Sequence, residues 1–172
     1  LDAGYKYGLR PKIHAEELAA SGGVAVAVKH DALSVDHLES MPDESMALLK
    51  QSATMPTLLP GTSFFLNMPY GRGRRMIDEG LPIALASDYN PGSTPSGDMK
   101  FIMSLACIKM RLLPEEAFNA ATLNGAAAMG LSDEYGSIAV GKQAKLILTT
   151  PIPSLAYLSY AYTSPLIREM IL

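Results

Sequence analysis

Pro82-Ile-Ala-Leu-Ala-Ser87 is a short apolar run that stops at the polar stretch Asp88-Tyr-Asn-Pro-Gly-Ser-Thr-Pro-Ser-Gly97. An unbroken apolar run of this length suits a strand buried on both faces, as parallel sheets require. In parallel β/α folds the site face is built from the loops that follow strand C-termini, so this junction is where chemistry is expected.

The same pattern repeats upstream. Residues 54–59 predict a strand closed by Pro60-Gly61, residues 34–38 another, and residues 11–15 a third. Between them lie helical stretches: one up to residue 30 that breaks near Ser21-Gly22-Gly23, one at 42–51, and one at 69–80 stopped by Gly80. The 42–51 helix carries Pro42, Asp43 and Glu44 in its first turn, where proline is tolerated and the helix dipole favours acids. Downstream, two helices are expected at 98–110 and 114–129. Four strands alternating with helices predict parallel β/α units.

After Gly130 the pattern changes. Residues 136–150 read as a turn and strand, and 157–172 as further extended or short segments. The expected organisation is therefore a β/α body over 1–130 and a smaller β-rich element over 131–172. The first ten residues read as the tail of a helix without a capping residue, which suggests a cut edge.

Bulk properties narrow the function. A chain of 172 residues with 48% hydrophobic and 18% charged residues is globular, and a net charge of −3 leaves no basic footprint for nucleic acid. The uncharged run over 18–28 is too short to span a bilayer and is interrupted by Gly22 and Gly23. A single Cys107 precludes an internal disulfide and suits a reducing compartment. The expectation is a cytoplasmic protein with a small-molecule substrate and no membrane partner.

The chemistry-bearing residues sit at strand ends. His14 and His37 fall at or just past the first two strands, and Asp88 just past the fourth. If the sheet is parallel, these three converge, and imidazole with carboxylate is a donor set that suits zinc or iron. Each alone is more simply a satisfied imidazole or a capping acid; their common position argues for a site. Glu17, three residues beyond His14, could fold back over that face or merely stabilise a helix N-terminus. Asn90, Gly92 and Ser93 follow Asp88 in a turn whose backbone N–H groups could face an anion or carbonyl, or simply close the turn.

Two other patterns are set aside. Gly136-Ser-Ile-Ala-Val-Gly-Lys142 resembles a phosphate loop, but Gln143 replaces the required hydroxyl residue and a strand, not a helix, is expected next. Arg72, Arg74 and Arg75 read as a solvated helix face. His30, beside Lys29 and Asp31, reads as a surface residue.

Several stretches also resemble a known family. Lys12-Ile-His-Ala-Glu-Glu17, Ser34-Val-Asp-His-Leu38, Leu59-Pro-Gly-Thr-Ser-Phe-Phe65 and Ala86-Ser-Asp-Tyr-Asn-Pro-Gly-Ser93 resemble, in order, the last four strand regions of the imidazolonepropionase family. Asn119-Ala-Ala-Thr-Leu-Asn-Gly-Ala126 and Gly136–Lys142 are similar to the C-terminal signature of the wider metal-dependent amidohydrolase superfamily.

The resemblance implies an α/β fold, the C-terminal half of a (β/α)8 TIM-type barrel with strands 5 to 8, plus part of a small β-sandwich. It implies one zinc or iron ion, with His14 and Asp88 as metal ligands and two further histidines supplied by an N-terminal part absent from this sequence, where no His-x-His pair occurs. His37 then corresponds to a catalytic histidine, Glu17 to a substrate- or water-contacting acid, Asp88 also to a proton carrier, and Asn90, Gly92 and Ser93 to substrate-binding residues.

The implied reaction is hydrolysis of the ring amide of 4-imidazolone-5-propanoate to N-formimidoyl-L-glutamate, by a homodimer, with the 172-residue stretch alone inactive. Alternatives are a related aromatic deaminase or chlorohydrolase, or a non-catalytic truncated remnant.

Overall fold

The computed structural model describes residues 1–172. A short helix α1 (Asp2–Tyr5) precedes β1 (Lys12–Ala15), α2 (Gly23–Lys29), β2 (Ser34–His37), α3 (Asp43–Leu49) and β3 (Met55–Leu58). Two helices, α4 (Pro60–Phe65) and α5 (Gly73–Asp78), then lead to β4 (Ala84–Leu85). The four strands form one parallel sheet in the order β1-β2-β3-β4. A strand order that follows chain order is the wall of a β/α barrel; a doubly wound sheet would reverse direction at a switch point. Four of eight strands, with β1 and β4 at the outer edges, make half a barrel.

Alternation along the strands separates two faces. Ala15, Val35, Leu58 and Leu85 join Val24, Ala27, Met46 and Leu49 of the flanking helices in one buried core. Each fully buried aliphatic side chain there contributes about 1.5–3 kcal/mol. The opposite face is polar. Lys12 Nζ donates to Ser34 Oγ at 2.6 Å, and Ser34 Oγ donates to Asp36 Oδ1 at 2.6 Å.

Beyond β4, Asp98 caps α6 (Met99–Met110) by accepting the Lys100 N–H at 2.9 Å. The helix expected at 114–129 is instead α7 (Pro114–Ala121) and α8 (Leu123–Ala128), separated by Thr122 at φ −119°, ψ −80°. The break lets α8 dock at the sheet. Asn124 Nδ2 donates to the Ile83 carbonyl at 2.7 Å, and Lys12 Nζ reaches the Ala128 carbonyl at 3.1 Å, a cation at a helix C-terminus.

Three other expectations change. The helix expected at 69–80 shrinks to α5, and Gly71 ahead of it packs against Leu58, where a Cβ would stand 3.0 Å from Leu58 Cδ2. The strand expected at 82–87 shortens to the two residues of β4, which has β3 as its sole partner. Pro60-Gly61 does not merely close a strand; it starts α4, with the proline in the first turn where its missing N–H costs nothing.

The C-terminal region forms a separate two-stranded antiparallel sheet, β5 (Leu146–Thr149) with β6 (Ile167–Ile171), and the short α9 (Ala156–Tyr160), between them in sequence, packs on α6 and α7. No helix is long and apolar enough to cross a membrane.

Candidate functional site

The chain leaves the strands through left-handed backbone. Glu16 (φ 54°) follows β1, His37 (φ 85°) and Leu38 (φ 71°) end β2, and Asp88 (φ 51°) stands beyond β4. Each such non-glycine residue costs about 1–3 kcal/mol, and this strain is characteristic of functional sites. At His37 its effect is visible. Strict alternation would put His37 on the helix face with Val35; the left-handed turn instead carries its ring to the side of His14.

His37 Nε2 lies 2.8 Å from His14 Nδ1, with ring centroids 4.9 Å apart. His37 is buried and His14 exposed. Three carboxylates surround the buried ring: Glu39 Oε2 is 3.6 Å from Nδ1, Glu17 Oε2 is 3.7 Å from Nε2, and Asp88 is close enough for its charge to act. Burial lowers the His37 pKa, but Glu39, then Glu17 and Asp88, outweigh it, so the imidazole titrates above its ordinary value. In this contact one ring nitrogen carries the hydrogen and the other supplies the lone pair that accepts it.

The two neighbouring acids after β1 have different tasks. Glu16 is 1% exposed and accepts the Ser21 N–H at 2.7 Å and the Val24 N–H at 3.4 Å, so it holds the start of α2. Glu17 faces His37.

Asp88 is oriented from one side. Its Oδ2 accepts the Thr62 hydroxyl at 2.6 Å and the Ser93 hydroxyl at 2.9 Å. Its Oδ1 takes no hydrogen bond. The following turn is self-contained: Asn90 Oδ1 accepts the Gly92 and Ser93 N–H groups, both at 2.9 Å, and Asn90 Nδ2 donates to the Asp88 carbonyl and to Ser93 Oγ. The Gly92 and Ser93 N–H groups thus point at Asn90 instead of outward.

The structure therefore brings His14, Glu17 and His37 into contact and sets Asp88 close by, while Asn90, Gly92 and Ser93 build the turn that holds Asp88. No group of three or more His, Cys, Asp or Glu side chains converges tightly enough to hold an ion unaided. The available donors are the His14 imidazole and Asp88 Oδ1. Both fit zinc or iron, but as part of a set, since such ions take at least three protein ligands.

Sequence reading passed over three residues. Glu39, with a side chain 1% exposed, faces His37; its Oε1 accepts the Ser63 hydroxyl at 3.2 Å. Thr62 and Ser63, both buried, supply the hydroxyls at the start of α4. The available signal was position: Glu39 is two residues past His37, and Thr62-Ser63 lies in the turn of helix that begins just past β3.

The patterns set aside lie elsewhere. Lys142 Nζ donates to the Ser132 and Tyr135 carbonyls at 2.6 and 3.1 Å, and the next element is a strand, β5. Arg72 and Arg75 pair with Asp43, and Arg74 with Glu116 and Asp78. His30 stacks on Tyr5 near Asp2.

Comparison with known proteins adds a lineage to this geometry. The model of the amidohydrolase family matches residues 14–164. The chain is 54% identical over 170 residues to an imidazolonepropionase of Flavobacterium psychrophilum, covering 99% of this chain and 41% of that protein. It is 55% identical over 162 residues to an imidazolonepropionase of Christiangramia forsetii, covering 94% and 39%. The chain thus spans about two fifths of the length of these curated relatives. Among solved structures, a zinc-bound adenosine deaminase of Xanthomonas campestris superimposes with a TM-score of 0.82 at 20% identity, over 99% of this chain and 46% of that one. An atrazine chlorohydrolase of Arthrobacter aurescens, complexed with zinc and atraton, gives 0.80 at 15% identity, over 99% and 44%. At such identities the likeness speaks for the half-barrel fold alone.

Proposed function

The chain belongs to the amidohydrolase family, and from that premise we propose that it supplies the C-terminal half of an imidazolonepropionase site. The reaction is hydrolysis of the ring amide of 4-imidazolone-5-propanoate to N-formimidoyl-L-glutamate. The single observation that carries this reading is the cluster of His14, Glu17, His37 and Asp88 at the C-terminal ends of the strands, in a chain 54% identical to an imidazolonepropionase over nearly all its length.

In this reading His14 and Asp88 hold one zinc or iron ion together with two histidines outside these 172 residues. Such an ion supplies Lewis acidity toward the attacking water and the ring carbonyl. The residues of this chain do the rest. His37, whose carboxylate neighbours favour its protonated form, turns Nε2–H from His14 to the oxygen on which charge develops as the ring carbonyl is attacked. Asp88 accepts a proton from water through Oδ1 and delivers it to the departing ring nitrogen. Glu17, within reach of the same His37 nitrogen, contacts the water or the substrate ring. Asn90, Gly92 and Ser93 serve the substrate indirectly, by fixing the turn beyond Asp88. A homodimer in the cytoplasm completes the proposal.

The test is turnover by the full-length gene product. Loss of the imidazolone chromophore with appearance of N-formimidoyl-L-glutamate supports the proposal. Inactivity toward this substrate together with release of ammonia or chloride from an aromatic substrate would replace it with a deaminase or chlorohydrolase.

A further inference from the structure

The start of α4 places two adjacent hydroxyls between the carboxylates of the site. Thr62 is 0% and Ser63 1% exposed, and each reaches a different acid: Thr62 donates to Asp88 Oδ2 at 2.6 Å, Ser63 to Glu39 Oε1 at 3.2 Å. The direction of the Thr62 bond follows from proton accounting. An ionised carboxylate only accepts, so the Thr62 hydrogen goes to Asp88, and the neighbouring Thr94 hydroxyl, 3.0 Å away, must donate to Thr62. Thr94 is itself 2% exposed.

Close approach makes this possible. A Cβ at Gly61 would stand 2.8 Å from Thr94 Cγ2 and 2.9 Å from Ile102 Cδ1, so only glycine lets α4 settle this near the Asp88 loop. The consequence is asymmetric use of both acids. Asp88 has Oδ2 occupied and Oδ1 open. Glu39 has Oε1 occupied, while Oε2 and His37 Nδ1 face each other without any other partner.

We infer that Thr62 and Ser63 are a pair of positioning residues with separate tasks: Thr62 fixes Asp88 so that Oδ1 is presented to the metal, and Ser63 fixes Glu39 so that Oε2 orients His37. The inference rests on the reading of Asp88 as a metal ligand. Partners of this kind commonly contribute about 10–100-fold to metal affinity or activity.

The experiment uses the full-length gene product and measures zinc affinity by chelator competition alongside kcat and KM at saturating zinc. T62V weakens zinc binding about tenfold or more, and T62S, which keeps the hydroxyl, restores it. S63A leaves zinc affinity within about threefold and lowers kcat about tenfold with little change in KM, and S63T restores kcat. T62A gives the same reading should T62V not fold. Unchanged zinc affinity in T62V or T62A overturns the inference, as does a parallel loss of both quantities in both variants, which is the mark of a general packing defect. D88A separates the two layers. If D88A retains wild-type zinc affinity, the ligand reading itself fails; if D88A loses zinc while T62V does not, only the present inference falls.

Discussion

His37 Nε2 and His14 Nδ1 lie 2.8 Å apart across the ends of two neighbouring parallel strands. The contact joins a buried imidazole, whose pKa the neighbouring carboxylates raise, to an exposed one. In the proposed site that contact gives way, so that His14 would offer an electron pair to an ion and His37 a proton to an oxyanion.

That division has a kinetic consequence. His37→Ala in the full-length protein removes a donor to developing charge without removing a metal ligand. We expect kcat to fall about 10²–10³-fold, the loss seen when one oxyanion donor is deleted, while metal content by elemental analysis stays at the wild-type level. Loss of metal in step with activity would reassign His37 as a ligand.

Packing at Gly61 makes a stability prediction. Gly61→Ala drives a methyl to within 2.8 Å of Thr94 and 2.9 Å of Ile102. Overpacking of this kind costs about 1–3 kcal/mol. Thermal melting of the variant should show that loss, whereas Gly80→Ala, where nothing lies within 4 Å but φ is +83°, tests backbone strain alone.

Much of this was legible in the chain itself. His14, His37 and Asp88 were identifiable because each lies at or just past the end of a short extended run, and parallel strands must bring like ends together. Glu39 was not, since an acid beyond a strand reads as a solvated residue until tertiary packing buries it. Helix α4 was hidden because Leu59-Pro-Gly-Thr-Ser-Phe-Phe65 lacks helical periodicity and its Pro-Gly reads as a turn. The loop after Asp88 was recognised as important, but the self-pairing of Asn90 with Gly92 and Ser93 depends on side-chain rotamers that sequence does not specify.

The surface acid Asp43 provides a pH-dependent signal away from the site. Hydrogen bonds from Arg75 and then Arg72 lower its pKa from 3.8 to about 2. A carboxylate depressed on folding stabilises the folded state fully above its unfolded pKa and loses that contribution as pH falls through the folded value. The stability difference between wild type and Asp43→Asn should therefore be constant above about pH 5, shrink as pH falls below that, and vanish near pH 1. Urea unfolding at stepped pH measures it, and a difference undiminished at pH 2 would contradict the assignment.

Metal binding by the 172 residues alone should be weak. Two donors, His14 and Asp88, fall short of the three or four that hold zinc firmly. Equilibrium dialysis should find no stoichiometric retention, and tight one-to-one binding would mean that other groups of this chain complete the set.

Anomalous X-ray diffraction at the zinc or iron edge, from crystals of the full-length gene product, bears most directly on the shared site. The account predicts a single peak about 2.0–2.2 Å from a His14 ring nitrogen and from Asp88 Oδ1, with His37 beside it but unbonded. A peak that leaves either His14 or Asp88 uncoordinated would contradict it.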